Sequence, residues 1–383
     1  MKSGGSNSSY SVALRAEVIT DLDTLASMEG AWHELLLRSP VSTAFVSPAW
    51  LLTWYRHFER AKGIYAIAVW HRETLVGLAP FAQTAIGAGR AGFRLLVSAG
   101  TEHGDHGEPL LASDAGPVAA AVAEHLSHLV RTGNAAVNLR RLHDDGAMFK
   151  ALEGREDITL QPMGQVAHNA LVRFDSLDDP ADYLDRLARE HDIPRRMRRL
   201  RERYRDVSFA PTTDDLGPPI DAMRDMLARR WKDGGGPRLF ATPRLEAFTR
   251  TVLHELVGAG LGRVSTLMAD GQPIAVNTIF HVGSRLIADN TAFDPDLSRY
   301  GLGQAGLYEK LRQALAEGMT EVDLRAGDFP YKRKWANAER TTRSVVLVAP
   351  GKAGELALAG RRVAMSWRAR RLRRWERRTP SSR

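Results

Sequence analysis

A glycine-containing turn before a helix is the part of this sequence best suited to bind an anion. Gly301, Gly303 and Gln304 lie at the start of a helix predicted over 303–317, and Arg299 comes just before them. Glycine lets backbone N–H groups come close to a ligand, and a helix N-terminus carries roughly half a positive charge. The turn therefore predicts a site for the phosphates of a nucleotide-type ligand. An ordinary turn that joins a strand to a helix would have the same composition.

Asp323 is a candidate acid–base group a short distance further along the chain. It alternates with Val322 and Leu324 on a predicted strand, so its side chain should point away from the core and into a cleft. There it would act as a general base or orient Lys332. A plain salt bridge to Arg325 or Lys332 explains the pattern equally well.

Asp289 and Asn290 come at the C-terminal end of the strand that precedes the glycine turn. Strand ends often line a binding cleft, and we expect both side chains to contact the acceptor substrate. Two polar residues that simply end a strand are the alternative.

The loop between residues 101 and 109 is rich in titratable groups. It carries His103, Asp105, His106 and Glu108. Two histidines beside carboxylates raise the possibility of a metal, but the spacing is not that of a helical histidine pair, so no metal is expected. We expect Asp105 and His106 to contact substrate across a cleft, with a plain polar loop as the alternative.

The composition is that of an ordinary globular protein. The chain has 383 residues, of which 44% are hydrophobic and 26% charged, and it has no cysteine. Its length suggests two to three domains, and disulfides and cysteine nucleophiles are excluded. No run reaches the ~18 apolar residues of a membrane span. Residues 1–10 lack the apolar core of a secretory signal, so a cytoplasmic protein with a disordered leader is expected.

Several enzyme classes are excluded by the motifs that the sequence lacks. It contains no P-loop, no dinucleotide-binding glycine fingerprint after an early strand, no Gly-x-Ser-x-Gly elbow and no His-Glu-x-x-His. Kinases, dehydrogenases, serine hydrolases and zinc proteases are therefore not expected.

Arginine carries most of the positive charge. The formal net charge is +8, and arginine clusters lie at 195–205 and 361–378. Such clusters favour an anionic partner such as tRNA or an anionic membrane surface. Solvated helix faces that only aid solubility are the alternative.

The predicted elements repeat in the two halves of the chain. Strands over 63–70 and 75–86 form a hairpin, and a helix begins at Ser47 and Pro48. The second half has helices over 215–231 and 243–259, three successive strands between 263 and 293, the helix over 303–317, a strand over 321–325 and a polar turn over 327–335. Both halves thus place strand hairpins before a strand–helix–strand unit. We expect an α+β protein with mixed, mostly antiparallel sheets flanked by helices.

This repeat divides the chain into two predicted domains. The N-terminal domain covers 11–175, a basic helical linker 176–205 and the C-terminal domain 206–350. Residues 351–383 are predicted to form a basic helix and tail. Each domain is close to the ordinary domain size.

Several motifs, taken in order, resemble one family of enzymes. They are Ser47-Pro48-Ala49-Trp50-Leu51, the strand Gly271-Gln272-Pro273-Ile274-Ala275, Asp294-Pro295 with Arg299-Tyr300-x-x-Gly303, and Asp323-x-x-x-Gly327-x-x-x-Tyr331-Lys332-x-x-Trp335. In these the chain resembles the GNAT-like acyltransferases of the BioF2-like, cellulose-biosynthesis (CelD-like) family, which have tandem GNAT domains related to the Fem peptidyltransferases. The resemblance covers about residues 10–345. The usual Q/R-x-x-G-x-G/A loop is replaced here by Arg299, Gly301 and Gly303 at a different spacing.

The resemblance implies an N-acyltransferase that moves an acyl group, such as acetyl, from an acyl-CoA co-substrate to an amine of a small molecule, sugar or peptide. It implies that Tyr331 is the general acid for the departing thiolate and Asp323 a catalytic partner. The implied donor-binding residues are Arg299, Gly301, Gly303, Gln304 and Lys332. The implied acceptor contacts are Asp105, His106, Asp289, Asn290 and Trp335.

Two other functions remain open at this stage. A Fem-like enzyme would take aminoacyl-tRNA as its donor and use the basic helices to bind it. A non-catalytic accessory protein of polysaccharide biosynthesis would keep the fold without the chemistry.

Overall fold

A computed structural model describes residues 14–58, 63–86, 93–211, 215–232, 239–327 and 329–351. The predicted leader at 1–10 and, apart from residue 351, the predicted basic helix and tail at 351–383 lie outside the described residues.

The first half of the chain begins with a strand and three helices and then alternates strands with helices. Its elements are β1 (Arg15–Ile19), α1 (Leu22–Ser27), α2 (Glu29–Arg38), α3 (Pro48–Phe58), β2 (Gly63–His71), β3 (Thr74–Ile86), β4 (Phe93–Ser98), β5 (Leu110–Leu111), α4 (Ala115–Thr132), β6 (Ala135–His143), α5 (Ala147–Glu153), β7 (Thr159–Pro162) and β8 (Ala167–Arg173).

The second half begins with four helices that frame a short strand and continues with a strand meander. Its elements are α6 (Pro180–Glu190), α7 (Ile193–Arg203), β9 (Val207–Pro211), α8 (Gly217–Arg230), α9 (Pro243–Gly258), β10 (Gly262–Ala269), β11 (Gln272–Val282), β12 (Arg285–Phe293), α10 (Leu302–Ala316), β13 (Glu321–Ala326), α11 (Pro330–Trp335) and β14 (Ala338–Val348). A 3-10 helix, Pro295–Tyr300, joins β12 to α10.

The strands form one continuous sheet. Along its main path the order is β1-β2-β3-β4-β6-β14-β8-β13-β12-β11-β10-β9, and β5 and β7 pair from the side with β3 and β14. The pairs β4–β6 and β12–β13 are parallel, and the other pairs are antiparallel. The prediction of a mixed, mostly antiparallel sheet flanked by helices is confirmed.

The two halves repeat one arrangement. Each has an antiparallel meander, β2-β3-β4 or β10-β11-β12, that a helix connects to a parallel strand. The halves also exchange strands, because β14 of the second half pairs with β6 and β7 while β8 of the first half pairs with β13. This exchange joins the two repeats into one sheet.

Most predicted elements lie where the sequence places them. The Asp21 carboxylate caps α1 by accepting from the Thr24 N–H at 2.8 Å, and Ser47 Oγ accepts from the Trp50 N–H at 3.2 Å at the start of α3. One detail differs, because the segment predicted as a polar turn over 327–335 contains α11.

Two faces of the second half's sheet pack against different helices. Val276, Phe280 and Ile287 belong to the large core that includes residues of α8 and α9. Leu286, Ala288 and Leu307 belong to a separate core that includes residues of α10. Because neighbouring strand residues point to opposite faces, β12 presents one row of side chains to each core. None of the helices in the described ranges is both long and apolar enough to cross a membrane.

Candidate active site

A large cleft lies where two parallel strands separate. β12 and β13 pair only from Arg285 with Glu321 to Ile287 with Asp323. Beyond these pairs the strands diverge, and the gap opens into a cleft of about 780 Å³. We call this cleft the strand wedge. Its lining comes from the separated strand ends, the start of α10, the end of α8 and α11.

A β-bulge turns two predicted substrate residues into the strand wedge. Asp289 and Asn290 of β12 lie opposite the single residue Thr278 of β11. The Thr278 hydroxyl donates to Asp289 Oδ2 at 2.8 Å and accepts from the Asn290 N–H at 3.0 Å. A bulge re-aims side chains in this way, and both residues line the wedge as the sequence predicts.

A second bulge places Arg325 on the opposite side of the wedge. Leu324 and Arg325 of β13 lie opposite one residue of β8, and Arg325 has a left-handed backbone with φ of 67°. Its Nε donates to Asp105 Oδ2 at 2.7 Å, and an Nη group pairs with Asp289. Burial alone would lower the pKa of this guanidinium, but the two carboxylates raise it above its ordinary value. Arg325 therefore remains a fixed cation between the two strands.

The N-terminus of α10 faces the wedge. Gly301 has φ of 65° and caps the helix, and its carbonyl accepts from the Gln304 and Ala305 N–H groups. The Leu302 and Gly303 N–H groups lie in the first turn, where the helix has no carbonyl that could accept from them. The guanidinium of Arg196, on α7, lies so close to Gly301 that a methyl group there would be 2.4 Å from Arg196 Nη1. The predicted anion site thus has a free helix end and a nearby cation.

Two lysines of the wedge have lowered pKa values. Burial lowers the pKa of Lys310, on α10, to about 7, and its Nζ donates to the Asn290 carbonyl at 2.7 Å. Burial lowers the pKa of Lys332 to about 8, and its Nζ donates to the Arg325 and Ala326 carbonyls, both at 3.0 Å. Lys332 was expected at this site, whereas Lys310 was not.

Tyr331 lies on α11 at the mouth of the wedge. Its side chain lines the cleft and is 44% exposed. Burial raises the pKa of the phenol above its ordinary value, and the nearby Arg230 guanidinium opposes that shift. Tyr331 therefore presents a protonated hydroxyl to the cleft at neutral pH.

Asp323 does not line the strand wedge, and the expectation that its side chain points away from the core is wrong. It is 4% exposed and faces a separate small cavity that it shares with His106 and His143. Its carboxylate accepts from Asn169 Nδ2 at 3.1 Å and from the Arg325 N–H at 2.6 Å. β13 is covered on both faces. A polar residue that alternates with apolar neighbours on this strand therefore need not face solvent. Asp323 instead positions the bulge that carries Arg325.

His106 is buried beside Asp323 and lies outside the wedge. Its Nε2 lies 3.2 Å from Asp323 Oδ2 without the alignment of a hydrogen bond. Burial raises the pKa of Asp323, but the neighbouring His106 and the Arg325 N–H outweigh it, and the net pKa is lowered. His106 thus lies against the Asp323 carboxylate and away from the wedge, whereas Asp105 of the same loop lines the wedge.

Arg299 and Trp335 also lie away from the wedge lining. Arg299 is exposed and its guanidinium stacks 5.0 Å from the Tyr300 ring centre. Trp335 is fully buried, stacks on His191 at 4.4 Å and donates to Gln304 Oε1 at 2.6 Å. Arg196 lies against the Gly301 turn, where the sequence predicts Arg299 to act. The Trp335 indole holds Gln304 at the start of α10.

The corresponding gap in the first half is filled. The loop 99–109 enters between β4 and β6 so closely that a methyl group on Gly107 would lie 2.5 Å from the Arg140 carbonyl. Ser98 Oγ accepts from the Arg140 N–H at 3.2 Å, and the buried Glu108 accepts from the His143 N–H at 2.8 Å. The same loop then carries Asp105 to Arg325 of the second half. Within the described ranges, no group of His, Asp and Glu residues is arranged to hold a metal ion.

Sequence reasoning missed Arg325, Lys310 and Arg196 as site residues. Lys310 had a usable signal, because it lies three residues after Leu307 and four before Ala314 on the buried face of α10. A lysine on an apolar helix face needs a partner or a function. Arg325 had no such signal, since its role depends on a bulge that sequence patterns do not show.

Part of the sequence matches the model of a known protein family. Residues 188–333 match the model described as "Acetyltransferase (GNAT) domain". This range runs from the end of α6 into α11 and contains the start of α10 and every residue of the wedge lining except Asp105. The chain has a GNAT-like fold. A search of curated proteins gave no match.

Solved structures show the same fold over most of the chain. A structure titled FemX has a TM-score of 0.61 at 8% identity and covers 86% of this chain and 98% of its own. The C-terminal domain of a putative lysylphosphatidylglycerol synthetase from Agrobacterium fabrum has a TM-score of 0.54 at 11% identity, with coverage of 88% and 95%. A conserved protein of unknown function from Bacteroides thetaiotaomicron has a TM-score of 0.54 at 13% identity, with coverage of 84% and 97%. At these identities the likeness concerns the fold alone.

Proposed function

We propose that this protein is an acyltransferase that moves an acyl group from an acyl-CoA to an amine. The observation that carries the proposal is the strand wedge, which joins a free helix N-terminus, buried cations and Tyr331 in one cleft. The GNAT domain match over residues 188–333 covers all of that lining except Asp105. The narrower BioF2-like family membership remains a proposal supported by the motif from Asp323 to Trp335.

The donor's phosphates would bind at the start of α10. The Leu302 and Gly303 N–H groups and the helix dipole favour an anion there, and the Arg196 guanidinium adds charge. Lys332 lines the same cleft as a second cation. From this end the donor would extend between β12 and β13 and bring its thioester near Asp289 and Arg325.

The transfer itself needs a proton acceptor and a proton donor. The amine nitrogen attacks the thioester carbonyl, a C–N bond forms, and the C–S bond breaks to release a thiolate. Lys310, with a pKa lowered to about 7, is suited to take the proton that the acceptor amine loses. Tyr331, with a raised pKa, is suited to give a proton to the thiolate. Asp323 is too deeply buried to touch either substrate and acts by positioning Arg325.

The acceptor would be a small-molecule, sugar or peptide amine. Asp289 lies at the wedge with its carboxylate held by Thr278 and Arg325, where it can bind an ammonium group before deprotonation. Asp105 and Asn290 add polar contacts at the same place.

A second candidate donor is aminoacyl-tRNA, favoured by the position of α7. This helix contributes Arg196 to the mouth of the anion site, and Arg198 and Arg199 are exposed on the same helix. An RNA backbone could follow such a surface to the wedge.

Parallel calorimetric titrations with acetyl-CoA and with bulk tRNA at moderate salt test the donor. Wild-type protein is compared with Lys332→Met, which removes a wedge cation, and with the double variant Arg198→Ser/Arg199→Ser, which removes exposed charge on α7. If an acyl-CoA is the donor, acetyl-CoA binds and only Lys332→Met weakens it, by about tenfold for a lost charge-assisted contact.

The other outcomes separate the alternatives. Binding of tRNA that falls steeply with salt and is lost in the α7 double variant, without binding of acetyl-CoA, would replace the acyl-CoA proposal by the tRNA donor. Binding of neither ligand would refute both and favour a non-catalytic accessory protein.

A further inference from the structure

A second pocket adjoins the strand wedge on the other face of the sheet. It has a volume of about 180 Å³ and is walled by Trp50, Phe248, Val252, Leu253 and Phe280. We call it the aromatic pocket. Its polar end is formed by Asp289, Asn290 and Arg325, and these residues also line the wedge. The two cavities therefore meet at the bulged strand ends where the reaction is proposed.

The walls of the aromatic pocket come from both halves of the chain. Trp50 on α3 and Phe248 on α9 meet edge to face with ring centres 5.4 Å apart, and Phe280 on β11 lies 6.2 Å from Trp50. Trp50 is 5% exposed, and its indole N–H has no hydrogen-bond acceptor among the described residues. Aromatic edges and faces arranged in this way suit another ring.

The pocket has the size of a single ring. An apolar cavity of about 150 Å³ in another protein stays dry and binds benzene. The aromatic pocket is slightly larger, and apart from its polar end it is lined mainly by apolar side chains. It is thus too small for a nucleotide and well matched to a phenyl group.

The position of the pocket separates it from the donor. The anion site belongs to α10, which packs on the sheet face of Leu286 and Ala288. Phe280, Phe248 and Val252 belong to the core on the opposite face. A donor that enters from the start of α10 and a ligand in the aromatic pocket would approach Asp289 and Arg325 from opposite faces.

We infer that the aromatic pocket binds the ring of the acceptor, and that the acceptor is an arylalkyl amine. This inference rests on the proposed function. With the ring packed against Trp50 and Phe248, a short alkyl linker would bring the amine to Asp289 at the pocket's polar end. The charged groups of the pocket are the Glu102 and Asp289 carboxylates and the Arg325 guanidinium, a balance that favours a cationic over an anionic ligand.

Two amines and one pair of variants test the inference. Phenethylamine is the ring-bearing amine and glucosamine the polar control, each assayed with acetyl-CoA by release of the free thiol. Phenethylamine and acetyl-CoA binding are also measured separately by calorimetry. Val252→Phe fills the pocket, and Val257→Phe makes the same change on α9 at a half-buried position outside the pocket lining.

The expected result is a preference of about tenfold or more in kcat/KM for phenethylamine over glucosamine, because an apolar group in a matched pocket commonly gives this much discrimination. Val252→Phe should lower phenethylamine affinity by about tenfold or more and leave acetyl-CoA affinity unchanged, whereas Val257→Phe should change neither. If Val252→Phe does not fold, the assays of the wild-type protein with the two amines still test the inference.

Three results have distinct meanings. If acetyl-CoA binds but glucosamine is used as well as phenethylamine, the inference is overturned and the proposed function stands. A further assay replaces acetyl-CoA by hexanoyl-CoA as the donor. If Val252→Phe changes only the discrimination between these two donors, the pocket binds the acyl group and the inference is again overturned. If phenethylamine binds in a Val252-dependent way but acetyl-CoA does not bind, the pocket assignment is supported and the proposed function fails.

Discussion

Burial shifts the proton affinities of Lys310 and Tyr331 so that both side chains are suited to acyl transfer. The apolar surroundings of Lys310 lower its pKa to about 7, so that a substantial fraction of the amine is neutral near neutral pH. The surroundings of Tyr331 raise its pKa, so its phenol keeps its proton. The same physical cause, the cost of charge in a poorly solvated cleft, therefore shifts one pKa towards a proton acceptor and the other towards a proton donor within a single cleft.

Replacing Tyr331 by phenylalanine should slow turnover without unfolding the protein. Loss of a general acid commonly costs about 100-fold or more in rate. The ring is 44% exposed and its hydroxyl bonds to none of the described residues, so the melting temperature should hardly change. Steady-state kinetics and thermal denaturation check this.

Tyr308→Phe is the matched control for this variant. Tyr308 lies on α10, packed beside the two smaller cores and outside the wedge lining. An unchanged rate in Tyr331→Phe, or an equal loss in Tyr308→Phe, would remove the catalytic role from Tyr331.

Lys310→Met should change how stability depends on pH. The folded-state pKa of Lys310 is about 7, below the unfolded value of 10.5, so between these pH values the unfolded chain binds more protons than the folded one. The Lys310 contribution therefore makes the free energy of unfolding rise with pH from about 7 to about 10.

Urea denaturation at pH 7, 8 and 9 measures this contribution as a difference between the two proteins. Relative to the wild type, Lys310→Met should be most stable at pH 7, and its relative stability should fall by an amount on the order of a few kcal/mol towards alkaline pH. A difference that does not vary with pH would mean that Lys310 keeps an ordinary pKa.

At the level of elements, the site is built from two strands, two bulges and one helix end. The pairs Asp289–Asn290 and Leu324–Arg325 each face a single residue of the neighbouring strand. Each bulge turns a charged side chain towards the gap between β12 and β13. The helix end then supplies N–H groups to the same gap.

The sequence predicted the elements better than it predicted the site. The strand meander from 263 to 293 and the helix that follows have strong period-2 and period-3.6 patterns, and the structure contains both. The burial of Asp323 was not predicted, because a strand that is buried on both faces can have the same local sequence pattern as a strand that is exposed on one face. Arg325 and Arg196 were missed because a bulge and a contact between distant helices leave no local pattern.

Gly301→Ala tests the helix end. Gly301 has φ of 65° and the methyl group would lie 2.4 Å from Arg196 Nη1, so the change should both strain the turn and displace the arginine. We expect a loss of about 1–2 kcal/mol in the free energy of unfolding and a weaker affinity for acetyl-CoA. Denaturant unfolding and calorimetry measure the two effects.

Gly318→Ala is the matched control at the other end of α10. Gly318 has φ of 73° but open space around the position of an added methyl group. It should lose a similar amount of stability and keep its affinity for acetyl-CoA. Equal affinities in the two variants would show that the start of α10 does not bind the donor.

At the scale of the whole molecule, the two repeats have different roles. The wedge between β4 and β6 is filled by the loop 99–109, whereas the wedge between β12 and β13 is open. The filling loop carries Asp105 across to Arg325, and Trp50 of the first half walls the aromatic pocket. The first repeat therefore completes a site that the second repeat alone would leave unfinished.

Asp105→Asn should reveal this dependence in both activity and stability. The Asp105–Arg325 pair is largely buried, and Arg325 retains Asp289 after the change, so we expect a loss of about 1–3 kcal/mol in the free energy of unfolding at pH 7. Burial raises the pKa of Asp105, but Arg325 outweighs it and the net pKa is lowered. Its stabilisation is therefore present above the unfolded pKa of about 4 and is lost as pH falls through the lower folded value.

Urea unfolding from pH 7 to pH 3.5 should show the wild type losing its advantage over Asp105→Asn below about pH 4. The control is Asp296→Asn, which breaks an exposed pair with Arg229 and should cost at most about 1 kcal/mol. Asp105→Asn should also lower kcat/KM, because Arg325 would lose one of the two carboxylates that hold it in the wedge. If Asp105→Asn matches Asp296→Asn in stability and leaves kcat/KM unchanged, the first repeat does not hold the site of the second.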